Sequence, residues 1–225
     1  MKRVSFVLIS VLLACAAREI QAQSHGFGIC RPRSERAAKE TGCFIITEQE
    51  QGPLGSRPVF WHLARFDSRA AAERIRGDRE SVIDAFGSYW LMSLGDSAWR
   101  PAAGTHVAVI GPLPIQPAKS YAAMYMEASM RPGDKSMIHR HPGPEAWYTL
   151  EGETCLETPS GAVTGRAGGP PVIVPGNLPM ELTAIGTTLR RSLVLILHET
   201  GKPPATMDST WKPRRLCGDS SHSRS

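Results

Sequence analysis

Between Tyr121 and Glu199 the chain alternates short apolar runs with glycine and proline turns. The runs YAAMYMEASM (121–130), SMIHRH (136–141), EAWYTLEG (145–152), TCLETPSG (154–161), PVIVPG (171–176), MELTA (180–184) and SLVLILHE (192–199) follow one another with no helix between them. Such spacing predicts an all-β sandwich or barrel and disfavours a parallel α/β fold. Upstream, GCFIITEQE, PVFWHLARF, SVIDAFGSYWLMSL and THVAVIGPLPI read as further strands, because aromatic and β-branched residues cluster there. SRAAAERIRGDRE is the one short helix, favoured by alanine and arginine and stopped at Gly77-Asp78. The expected organisation is a leader over 1–22, a β-rich extension over 23–114, a barrel over 115–200 and a tail over 201–225. The extension is either part of the same domain or a degenerate second barrel.

Composition adds little to this picture, at 41% hydrophobic and 21% charged residues, beyond the turns implied by 21 glycines and 18 prolines. The first residues matter more. Lys2 and Arg3 precede an apolar run from Val4 to Ala17 that is too short for a stable membrane span, so a secretory signal cut before Gln23 is expected. Export to the periplasm or the medium follows, with lipidation at Cys15 as the alternative, since LLAC resembles a lipobox. Removing 1–22 leaves 23 basic and 20 acidic residues. The basic residues are scattered, so nucleic acid is not an expected partner, and no transmembrane span is expected in the mature chain. Cys30, Cys43, Cys155 and Cys217 remain, an even set that reads as disulfides in an oxidising compartment. Cys217 and Cys30 or Cys43 are expected to tie the terminal segments down, and Cys155 to be a buried small apolar residue.

The candidate chemistry lies in GDKSMIHRHPGPEAWYTLEG, residues 133–152. Alternation along a strand sends His139 and His141 to one face, and the turn at Pro142 to Pro144 brings Glu145 back beside them. Two imidazoles and a carboxylate suit Fe(II), Mn(II) or Zn(II), and three protein ligands leave coordination positions open. The competing reading is a surface hairpin whose polar groups meet only water. Trp147 and Thr149 share the face of Glu145 and are candidates for a substrate pocket. Tyr125 and Glu127, on one face of the preceding strand, are candidate catalytic groups. His198, at the end of a strand, is a candidate fourth ligand. Of Arg190 and Arg191 only one can point inward, where it could hold an anionic group of a substrate.

The fixed positions Gly133, His139, His141, Glu145 and Gly152 resemble the first motif of the cupin superfamily. That resemblance spans roughly 115–200 and implies a double-stranded β-helix, jelly-roll-like barrel that holds a divalent metal through His139, His141 and Glu145. The second motif departs from the family. Gly169, Pro175 and Pro179 match, but the motif's glycine falls on Asn177, its last histidine on Met180 and its asparagine on Ala184. Three of the usual four ligands are therefore present. Met180 is either an apolar pocket wall or a soft ligand that selects copper. The resemblance implies a small-molecule ligand and is compatible with a homodimer through strand edges. It leaves three functions open: an oxygenase, lyase or isomerase, a non-catalytic binding protein, or an envelope structural or interaction domain.

Overall fold

The computed structural model describes residues 30–218, so the expected leader, its expected cleavage point and Cys15 lie outside the described residues. The N-terminal half contributes β1 (Arg31–Pro32), β2 (Gly42–Pro53), β3 (Phe60–Phe66), α1 (Arg69–Glu73), β4 (Ser81–Ala85), β5 (Ser88–Gly95) and β6 (Thr105–Ile110). Then come β7 (Ser120–Met130), β8 (His139–Arg140), β9 (Glu145–Glu151), β10 (Glu153–Thr158) and β11 (Gly161–Arg166). The chain closes with β12 (Val172–Val174), β13 (Glu181–Ile185), β14 (Arg190–Glu199) and β15 (Thr206–Met207). The all-β expectation holds. The helix is shorter than its sequence pattern: Ser68 caps it by accepting the Ala71 amide at 3.2 Å, and it stops at Glu73, before Gly77.

A six-stranded sheet in the order β1-β2-β7-β14-β9-β12 forms one wall of the barrel, and a three-stranded sheet, β11-β10-β13, forms the other. Both β7 and β14 are central strands buried on both faces, which is why their sequences lack a polar alternation. Their even-numbered residues face into the barrel. Met124, Met126, Val194 and Ile196 meet Trp147 from β9 and Leu156 and Leu182 from the opposite sheet in one apolar cluster. Their odd-numbered residues face outward, against a second, four-stranded sheet ordered β4-β5-β3-β6. There Tyr121, Tyr125 and Leu195 pack against Trp61, Leu63 and Trp90.

β2 pairs with β7 from Gly42 opposite Ser129 to Pro53 opposite Ser120, so residues 42–53 are part of the barrel wall. The remaining strands cover that wall's outer face. Two disulfides, Cys30–Cys43 and Cys155–Cys217, fasten the two ends of the described chain. Cys155 is therefore a cystine half rather than a free buried thiol. Its partner was not legible from spacing, because the two stand 62 positions apart in the sequence.

Candidate metal centre

The segment between β7 and β9 is held against β13 by main-chain pairing. Ser136 donates its amide to Leu182 and accepts the Leu182 amide on its hydroxyl, both at 2.9 Å. One turn on, His139 and Met180 exchange amide bonds of 3.2 and 2.9 Å. This fixes the parity of the short strand. Arg140 turns outward to an ion pair with Asp208, while His139 and His141 turn inward. The chain then reverses through Gly143. No side chain fits there, because a Cβ would stand 1.9 Å from the Leu197 carbonyl oxygen. Pro144 accepts the Leu197 amide at 2.9 Å, and β9 starts with Glu145 opposite Ile196 and Val174.

The result brings His139, His141 and Glu145 together with their candidate ligand atoms all within 4.8 Å of one another. They are 8%, 3% and 6% exposed. Each imidazole is oriented from behind: His139 Nδ1 donates to the Met137 carbonyl at 2.8 Å and His141 Nδ1 to the Pro204 carbonyl at 2.6 Å. A carbonyl can only accept, so Nδ1 carries the hydrogen and each neutral ring keeps its lone pair on Nε2. The His141 Nε2 lies 3.4 Å from Glu145 Oε2, long for a hydrogen bond, and neither buried atom has a hydrogen-bond partner among the described residues.

Electrostatics set the three groups apart. Burial lowers the His139 pKa, and the neighbouring His141 charge lowers it further. Burial also pulls His141 down, but the Glu145 carboxylate outweighs it and leaves that imidazole raised. For Glu145, burial acts upward and is outweighed by His141, His139 and Arg190, so its carboxyl stays below the usual range. Arg190, buried and lining the same cavity, has its guanidinium brought down by burial to about 10.

All of these groups line one cavity of about 420 Å³. Met124, Met126, Met130, Leu182, Val194 and Ile196 give it an apolar wall, and Cys30–Cys43 lies at one side. The tail closes another side with Pro204, Ala205 and Met207, held there because β15 pairs with β8.

No protein-family model matches the chain, and the search of curated proteins found no match. Solved structures that it resembles include a cupin-like protein from Thermotoga maritima, at 17% identity and a TM-score of 0.35, covering 38% of this chain and 64% of that one. A DMSP lyase from Ruegeria pomeroyi is 19% identical at a TM-score of 0.34, over 38% of this chain and 42% of the other. An oxalate oxidase bound to glycolate is 18% identical at a TM-score of 0.33, over 38% and 45%. The chain therefore spans less than two thirds of the length of each of these three. The site is read from its own geometry.

The remaining sequence candidates fall in other places. Tyr125 and Glu127 lie on the outward face of β7, away from the cavity. Tyr125 is buried with Trp61, its ring centroid 6.4 Å away, and burial pushes its hydroxyl pKa up. Glu127 receives Arg36 at 2.6 Å and Arg33 at 3.4 Å. His198 has inward parity, two residues past the Ile196 that pairs with Glu145, but its Nε2 lies 3.3 Å from Glu48 and it does not gather with the other three ligand groups. Trp147, Thr149 and Met180 share the barrel interior without lining the cavity. Trp147 and Met180 belong to the apolar cluster, and Thr149 accepts a 3.4 Å hydrogen bond from Ser192. Sequence reasoning missed the tail's part in the site. Its only local signal, the turn-rich KPPAT segment, says nothing about where the tail docks.

Proposed function

We propose that this chain is a metal-binding, cupin-like barrel protein that takes a small molecule in the cavity beside the metal. The ligands are His139, His141 and Glu145, and the metal is a divalent first-row ion such as iron, manganese or zinc. One observation carries the reading: three buried ligand groups converge on a cavity wall, both imidazoles are presented through Nε2, and His141 Nε2 and Glu145 Oε2 lack protein partners. Buried polar groups left unpaired are costly, and a cation shared by all three removes that cost. When bound, such an ion supplies Lewis acidity and open coordination positions for an oxygen-bearing ligand. The chain's own residues do the rest. The Met137 and Pro204 carbonyls hold the imidazoles in place, and the apolar wall excludes bulk water. Met180 pairs with His139 and belongs to the apolar cluster, outside the residues that line the cavity.

A binding role without catalysis is the second reading, favoured by the shortage of acid–base groups. Apart from the three proposed ligands, the ionisable groups lining the cavity are Arg190 and the mutually paired Arg31 and Glu40. The two disulfides are compatible with an exported protein, and export is proposed on the apolar leader. The test is elemental mass spectrometry on protein recovered from the exported fraction, beside a His139→Ala, His141→Ala double variant. About one metal ion per chain, lost in the variant, supports the reading. No metal after anaerobic reconstitution with each ion would sink it.

A further inference from the structure

Arg190 is the charged group that metal binding leaves unexplained. It opens β14 at 2% exposure and lines the same cavity as Glu145. Its Nε has no hydrogen-bond partner, its Nη1 meets only the Met130 thioether at 3.7 Å, and its guanidinium lies 5.9 Å from the Trp147 ring centroid. No carboxylate among the described residues stands within ion-pair distance of it. Its neighbour Arg191 faces outward and pairs with Glu151 at 3.2 Å, as a solvated arginine does.

The local fold accommodates Arg190 closely. Gly152 has φ +70°, and a Cβ there would stand 2.8 Å from the Arg190 Cα, so a residue with a side chain could not keep this turn against β14. A buried guanidinium without an ion-pair partner is expensive, and a bound anion removes the expense. The charge balance of the cavity points the same way. Arg31 and Glu40 cancel, the liganding imidazoles are neutral, and Glu145 offsets only one of the three positive charges that Arg190 and a divalent ion bring. Two positive charges remain.

We infer that the cavity takes a small carboxylate with an apolar body, its carboxylate held between the metal position and Arg190. The planar guanidinium fork suits a carboxylate's two oxygens. The body lies against Met124, Met126, Val194 and Ile196, a wall with nothing to offer a wholly polar molecule. The inference rests on the proposed metal-and-ligand role of this cavity, and it names the ligand class.

The test is calorimetric titration of the metal-loaded protein with octanoate, 1-octanol, octylamine and acetate. Octanoate binds, 1-octanol and octylamine bind at least about tenfold more weakly, and acetate about a hundredfold more weakly, because it has no body to bury. Arg190→Gln loses about tenfold or more of the octanoate affinity, leaves 1-octanol unchanged and keeps its bound metal. Equal affinity for octanoate and 1-octanol, no octanoate binding, or an Arg190→Gln protein with unaltered octanoate affinity overturns the assignment. If that variant does not fold, the wild-type ligand series decides alone. If the wild type takes up no metal, the metal reading has failed separately. Octanoate binding that exceeds 1-octanol in the metal-free protein then upholds the carboxylate assignment, and its absence rejects it.

Discussion

Gly143 has the least room for a side chain of any glycine among the described residues. Its absent side chain lets the turn between His141 and Glu145 lie on the Leu197 carbonyl, and Gly176 approaches so closely that its own Cβ would stand 2.7 Å from the Gly143 Cα. Gly143→Ala is expected to destabilise the fold by about 3 kcal/mol or more, as overpacking against main chain does. Gly133→Ala, at φ +89° with nothing within 4 Å of the added carbon, costs only about 1–2 kcal/mol of backbone strain. Urea denaturation of the two variants side by side checks the contrast. Asn177 shows how a departure from a motif keeps its geometry: at φ +63° it holds the left-handed conformation a glycine would take, and its amide donates to the His141 carbonyl at 2.6 Å. Glu145→Gln keeps the volume and removes the one negative charge among the three proposed ligands. Its metal affinity is expected to fall roughly 100-fold, read by competition with a chelator.

Two elements carry more than their sequences suggest. The tail from Pro204 to Cys217 docks through three devices: the Pro204 carbonyl on His141, the Asp208 carboxylate paired with Arg140, and the buried Glu157 that accepts the Arg214 and Leu216 amides. Cys155–Cys217 closes the loop over a separation of 62 residues. Replacing both cysteines with serine is expected to cost about 4 kcal/mol on the chain-entropy account. It should also weaken metal binding, because His141 loses its rear support when the tail loosens. Thermal melting and the chelator competition read the two effects separately. In the N-terminal sheet, the His62 ring lies tilted against Trp99 with centroids 4.9 Å apart, and its Nε2 donates to the Asp96 carbonyl at 2.8 Å. Burial lowers the His62 pKa and the nearby His106 charge adds to it, while burial lowers His106 as well. The unfolded chain therefore takes up these protons first. Stability present above about pH 6.5 is lost as pH falls from there through the folded values. The melting temperature should drop between pH 7.5 and 5.5, and a His62→Gln, His106→Gln variant should show a shallower drop, with Trp99 fluorescence following the local change.

At the scale of the molecule, the outer face of the six-stranded sheet ties the halves together. Tyr121, Tyr125 and Leu195 face Trp61, Leu63 and Trp90 in one cluster, and β2 supplies a full strand beside β7. A chain beginning at residue 115 would expose that face and leave β7 as an unpaired edge. It is expected to be insoluble or to bind a hydrophobic dye without a cooperative melt, whereas the chain from residue 23 melts cooperatively. An autonomous, soluble 115–218 barrel would contradict this account.

The strand-rich pattern, the glycine and proline turns and the spacing of His139, His141 and Glu145 were all legible in the sequence. Each is a local property: alternation sets which side a residue faces, and a tight turn between His141 and Glu145 leaves few ways to arrange three polar groups. What the sequence could not decide was which face of a strand looks inward when both are buried. β7 reads YAAMYMEASM, with apolar residues at both parities, so Tyr125 and Glu127 drew attention while the cavity took Met124, Met126 and Met130. Nor could it decide contacts between segments far apart in the chain, where no local preference acts. The pairing of Cys155 with Cys217, the Pro204 carbonyl behind His141, β2 in the barrel wall and the burial of Arg190 over Trp147 exist only once the sheets have closed on one another.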